Sequence, residues 1–265
     1  MPTRACIPLV ALACLLHAGC LFDRDEGIQE SVGIEEKKAT LAEQAEPAPP
    51  PSLSADTHLA AGRMLERQGD LASAIGQYER AITLDPRSPT AYSRLGIVYQ
   101  KLGRFEDAEQ IFKRGIQADP GSAMLRNNLG YGYLLQSRPA DAESQFREAL
   151  RIEPEFKRAR MNLAIAIGSL GRYAEATEEF KTVVTPDIAH YNVAMLQMNR
   201  GEYSQARASL EAALDENPAC PGAREQLQRA VALASGQGAS LAPPGPGPQS
   251  TLAGTPNEEI TGGDP

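Results

Sequence analysis

The stretch RNNLGYGYLLQSRPADAESQFREALRIEP, Arg126 to Pro154, reads as two helices joined by a tight turn. Leu129 and Tyr133 are spaced like one face of a first helix, and Ala142 and Phe146 like one face of a second. Pro139 can open the second helix, because its missing N–H is unpaired there in any case, and Pro154 ends it. The first helix nevertheless carries Asn127, Asn128, Gly130 and Gly132, all poor interior residues. Each Gly costs about 1 kcal/mol against Ala, so something must offset it.

The same phrase recurs along the chain. YSRLGIVYQ begins at Tyr92, RMNLAIAIG at Arg160 and HYNVAMLQM at His190, and an earlier copy runs through LAAGRMLERQGDLASAIGQYERAITLDP. Copies start near residues 55, 89, 123, 157 and 187, in steps of 34, 34, 34 and 30. A repeat of this length is one supersecondary unit that must stack on its neighbours to bury its apolar face. Gly69, Gly103, Gly171 and Gly201 stand where each hairpin turns, a place suited to a left-handed helix end, and the third copy has Ser137. Pro86, Pro120, Pro154 and Pro218 close the units. The fourth copy lacks about four residues at its end, and Thr185 can cap and Pro186 open the helix that follows.

This pattern resembles the tetratricopeptide repeat: Tyr92, Leu95, Gly96, Tyr99, Ala108, Phe112 and Pro120 in the second copy; Leu129, Gly130, Tyr133, Ala142, Phe146 and Pro154 in the third, with Arg126 at the bulky position. The first copy departs with His58 and Leu65, the fifth with Gln197 and Leu210. The resemblance implies an all-α right-handed superhelix, an α-solenoid of about five helix pairs over residues 55–235. After Pro218, the amphipathic run with Leu227, Ala230, Val231 and Ala234 is its capping helix. Gly130 shares its place with Gly62, Gly96, Ala164 and Ala194, and Ala142 is expected to face it, small against small. Gly132 has no such counterpart; Val98, Ala166 and Leu196 stand there.

Outside the repeats the composition changes. The formal charge is -8, but residues 21–54 hold -5 of it and residues 236–265 hold -3, leaving 55–235 near -1. A balanced central region argues against a nucleic-acid binder. Arg4 followed by the apolar run Ile7 to Leu16 reads as a signal peptide over residues 1–19, too short to span a bilayer. LLHAGC, ending in Cys20, resembles the lipobox of bacterial lipoproteins, which implies a diacylglyceryl group on Cys20. His17 departs from that motif, and a plain secretory signal is the other reading. Residues 20–54 form an acidic, Pro-rich linker and residues 236–265 a Pro/Gly-rich tail expected to be disordered. Leu21 after the cysteine, by the same resemblance, favours the outer membrane, facing the periplasm. Cys6 and Cys14 fall in the leader, which leaves Cys220 alone and expected to be a small packing residue.

In the resembled family the first helix of each unit lines a concave face, and some members grip an extended peptide with a ladder of asparagines. Asn128, Asn162 and Asn192 occupy that place in three successive copies; a carboxamide offers donor and acceptor together and so can pair with a peptide unit. The alternative is that these amides bond neighbouring helices. Asn127, Tyr131, Met161, Ile165, Tyr191 and Met195, about one turn apart, are expected to share the groove. No catalytic, cofactor or metal-ligand pattern stands out, and His58 and His190 read as packing residues. The function expected is therefore a membrane-anchored, non-enzymatic adaptor for a protein or peptide partner. By resemblance to pilotin and tight-adherence pilus-assembly lipoproteins, that partner is a secretin or pilus component. A scaffold for cell-wall enzymes and a regulatory subunit of an enzyme are the competing readings.

Overall fold

The computed structural model describes residues 53–236, all helix and turn; the leader, Cys20, the acidic linker and the C-terminal tail lie outside them. Eleven helices follow in order: α1 (Ala55–Gln68) and α2 (Leu71–Leu84), α3 (Pro89–Lys101) and α4 (Phe105–Ala118), α5 (Ala123–Leu135) and α6 (Pro139–Ile152), α7 (Lys157–Ser169) and α8 (Tyr173–Lys181), α9 (Pro186–Asn199) and α10 (Tyr203–Glu216), then α11 (Ala223–Ala234). Each odd helix is the first arm of a hairpin and each even helix the second. Every helix packs on the next, and α3, α5, α7 and α9 also touch one another in sequence, whereas successive second arms make little contact. Rods that meet on one side and splay on the other curve toward the side where they meet. The first arms therefore form the inner wall.

The turns follow the chemistry of their residues. Gly69, Gly103, Gly171 and Gly201 sit at φ between 72° and 83°, and Ser137 is forced to the same region at 57°. That conformation strains any residue with a Cβ, by roughly 1–2 kcal/mol, and the neighbouring packing has to hold Ser137 there. Between units, Asp85, Asp119 and Asn217 accept from the backbone N–H two residues on. Ser54, Ser88 and Ser122 then cap α1, α3 and α5. Thr185 holds the N-cap position of α9, but its hydroxyl makes no capping bond, contrary to expectation; Pro186 opens the helix. The helix ahead of it, α8, has 9 residues against 14 in the other second arms.

The position called bulky in the sequence has a second job. Tyr92, Arg126, Arg160 and Arg224 each donate to the carbonyl of the proline six residues earlier, at 3.3, 3.4, 2.9 and 3.1 Å. Each pins the turn ahead of the next first arm, and Arg224 sets α11 against the fifth hairpin in the same way. Among the described residues no helix follows α11, and Val231 is 43% exposed where Tyr99, Tyr133 and Ile167 are buried. At the other end Met64 is 49% exposed where Val98 and Ala166 are covered by the preceding unit.

The packing of hairpin arms differs from expectation in one respect. Ala142 is fully buried, but the atoms nearest to where a Gly130 Cβ would lie belong to Phe146. A Cβ on Gly130 would lie 2.7 Å from Phe146 Cε1; on Gly96, 2.4 Å from Phe112 Cε1; on Gly62, 2.5 Å from Tyr78 Cε1. Each glycine is the floor on which the aromatic ring of its own second arm lies. Tyr78, Phe112 and Phe146 are fully buried as a result, each ring worth roughly 1.5–3 kcal/mol by area alone, which outweighs the helix cost of the glycine.

Candidate binding groove

The inner wall is held together by a polar relay across three first arms. Asn162 Nδ2 donates to Asn127 Oδ1 at 2.9 Å, Asn127 Nδ2 to Asn128 Oδ1 at 3.3 Å, and Asn128 Nδ2 to Ser93 Oγ at 2.9 Å. Asn128 and Asn162 are 0% exposed and Asn127 is 1%. The accessible ladder expected of Asn128 and Asn162 is therefore not what the packing presents: both are buried, and their amide nitrogens donate to the preceding unit. The pairing rule is local. A residue on one first arm meets the residue one place further along on the next arm, and two polar residues there make a bond. Asn192 is also buried, at 6% exposed, and among the described residues it makes no bond to the other asparagines. Asn162 Oδ1 finds no donor within the described residues.

Gly132 has its reason in the same wall. Gln100, buried on α3, reaches across to donate to the Asn128 main-chain carbonyl at 3.3 Å, and a Cβ on Gly132 would lie 2.6 Å from its Nε2. The glycine leaves a slot for a side chain of the preceding unit.

These hairpins repeat one architecture with one set of packing positions. Models of the tetratricopeptide repeat match residues 62–103, 87–155, 127–190 and 191–235. The chain belongs to the tetratricopeptide repeat family. Solved structures of similar fold include a tetratricopeptide repeat protein from Parabacteroides merdae, 22% identical over 79% of this chain and 86% of that one, TM-score 0.56. PilW, described as a widely conserved type IV pilus biogenesis factor, is 21% identical over 69% of this chain and 86% of its own, TM-score 0.55. YrrB, described as a tetratricopeptide repeat protein with an unusual peptide-binding site, is 21% identical over 75% and 97%, TM-score 0.51. A search of curated protein sequences finds no significant match. Tetratricopeptide repeats are protein-interaction scaffolds, and the question becomes which surface of this one is left open.

On the inner wall of this tetratricopeptide array, Tyr131, Met161 and Ile165 are half-buried, apolar and partly open. Burial alone raises the pKa of the Tyr131 phenol. Tyr191 and Met195 do not join them. They are 4% and 7% exposed, in a cluster with Leu210, Cys220, Ala223 and Ala230 that closes the C-terminal end. The turn into α11 covers them, and Tyr191 Oη lies 3.3 Å from where a Gly222 Cβ would be. Burial, then the nearby Cys220 and Glu225, push the Tyr191 phenol up, and burial raises the Cys220 thiol. Ile188 and Met198, which sequence reasoning passed over, are half-buried and pack against that same C-terminal cluster, as Ile165 does from α7.

The far edge of the array is ionic. Arg138 donates to Glu109 of the preceding unit at 3.2 Å, and Arg172 to both oxygens of Glu143 at 2.8 and 2.9 Å. Arg138 also lies over the Tyr133 ring, as Arg104 does over Tyr99. Burial raises the Glu109 carboxyl, but bonds from Lys113 and Tyr133 and the Arg138 charge outweigh it and hold it below the usual range. These hooks tie units two to three and three to four. Thr177 and Glu202 stand at the corresponding places between units four and five, so the hook is missing there. Among the described residues no group of His, Cys, Asp and Glu is placed to hold a metal ion, and no helix is long and apolar enough to cross a membrane.

Proposed function

We propose that this protein is a non-enzymatic adaptor that captures an extended segment of a protein partner along the inner wall of units three to five. The observation that carries the reading is the half-open strip of Tyr131, Met161 and Ile165. Methionine and tyrosine present polarizable or amphipathic surface that adapts to a partner. Crosslinked pull-down from the native envelope tests it: Met161→Asp is expected to cut capture at least about tenfold while helicity by circular dichroism is retained. Undiminished capture by that variant refutes the groove.

The anchoring half of the proposal rests on the sequence. A lipidated Cys20 followed by the acidic linker tethers the array to the outer membrane on its periplasmic side. One acyl chain binds a bilayer marginally, and several on one cysteine hold it. Cys20→Ser is expected to shift the protein from the membrane fraction to the soluble envelope fraction, and unchanged partitioning counts against lipidation. Assistance to pilus or secretin assembly is the narrower proposal, supported by the lipoprotein-like leader and by a fold shared with a pilus biogenesis factor. A partner identified as a cell-wall enzyme in the same pull-down replaces it.

A further inference from the structure

The boundary between units four and five is built unlike the others. The second arms α2, α4, α6 and α10 have 14 residues each, and α8 has 9. That difference removes about 7.5 Å of rod. Of all the second arms, α8 makes the smallest contact with the helix that follows it. The bond that pins the other turns is absent as well. His190 stands in the place of Tyr92, Arg126, Arg160 and Arg224, the residue six before it is Val184 instead of a proline, and no such bond forms.

Polar ties between units change at the same place. The relay runs from Ser93 to Asn162, and Asn192 makes no bond to it. The hooks of Arg138 on Glu109 and of Arg172 on Glu143 have no successor, because Thr177 and Glu202 occupy those positions. Instead Arg200 donates to the main-chain carbonyl of Ser169 at 2.9 Å, at the hairpin-tip end of α9, and Leu196 fills the place that a Cβ on Gly168 would take. The apolar core divides here too. Ala189, Val193 and Leu196 of α9 belong to the cluster that runs through units one to four, and Tyr191, Ala194 and Met195 to the one shared with α10 and α11. In a repeat array stability is a sum of units and of the interfaces between them. A boundary with a shortened rod, no turn pin and a divided core therefore opens more readily than its neighbours.

We infer that α9, α10 and α11 form a flap that swings from units one to four about residues 182–185, and that a segment seated in the groove closes it. Ile165 supplies the coupling. It lies on α7, on the unit-four side, and packs against both clusters, so a chain lying over Met161 and Ile165 bears on both sides of the boundary. A segment that touches both bodies only when they are together stabilises the closed form. The closing rests on the groove reading above; the joint rests on the packing alone.

Hydrogen exchange read by mass spectrometry on the full chain, without a partner, decides the joint. Amides of α9 and α10 are expected to share one opening, at least about tenfold more frequent than that of α5 to α7. Protection in α9 equal to that in α7, or protection that declines evenly from α7 to α11 as in fraying from the end, overturns the inference. Arg200→Gln removes the bond to Ser169 and is expected to speed exchange across α9 to α11 about tenfold more, with α3 to α6 unchanged. A rise spread over the whole array counts against a joint at this boundary. The same exchange is then read on the complex recovered in the pull-down, where capture is expected to slow α9 to α11 at least about tenfold. If capture leaves them as fast as before, the closing falls and the joint stands. If Met161→Asp leaves capture intact, the groove falls and the closing with it, while exchange on the free chain still decides the joint.

Discussion

Gly130→Leu is expected to destabilise the array by at least about 3 kcal/mol, near the upper end of what overpacking a closed core costs. The Cβ alone would sit 2.7 Å from Phe146 Cε1, and that ring is fully buried with no room to retreat. For a helical array of this size, such a loss lowers the melting temperature by roughly 6–12 °C. The sign is informative. On propensity alone, replacing a mid-helix glycine gains about 1 kcal/mol, so an unchanged or raised melting temperature contradicts the ring-on-glycine arrangement outright. Because repeats couple mainly to their neighbours, hydrogen exchange should place the loss in α5, α6 and the helices touching them rather than at the ends.

Asn128→Ala is expected to cost about 2–4 kcal/mol, more than an asparagine lining an open groove would. The change removes the acceptor for Asn127 Nδ2 and the donor for Ser93 Oγ, and both groups stay buried; each orphan costs roughly 1–3 kcal/mol. Asn192→Ala is the internal control, because Asn192 is outside the relay; it should cost under about 1 kcal/mol. Urea denaturation of the two variants decides the matter. Equal, small losses mean that the relay contributes nothing, and the asparagines return to consideration as partner contacts. Replacing Asn128, Asn162 and Asn192 together would test structure before it tested binding.

Much of the architecture was legible in the chain because it is periodic. Spacing of apolar residues, glycines at left-handed turns and prolines at unit ends are all local properties, and five copies of a local signal leave little freedom in how they stack. The positions of Gly69, Gly103, Gly171 and Gly201 follow from backbone sterics alone, and the structure places each at positive φ. The end of the array was legible too, since the amphipathic run after Pro218 forms α11.

The site was read less well, and the failures share a cause. Asn128, Asn162 and Asn192 look alike in a single-copy view. Whether an amide is exposed or consumed depends on the residue that faces it from the preceding unit, which lies about 34 residues away. Ser93 and Asn127 pair with the first two; Asn192 is buried as well, with no bond to another asparagine. Gly132 made no sense within its own helix because its reason is Gln100, one unit back. Tyr191 and Met195 follow the groove pattern and lose their exposure to the turn into α11.

Thus the repeat length, the helix pairs and their punctuation were decided along the chain, where residues act on neighbours a few places away. Which polar side chains are used up between units, and which apolar ones remain open to a partner, was decided only when the units stacked. Contact across a unit boundary depends on pairs of residues that no short stretch contains.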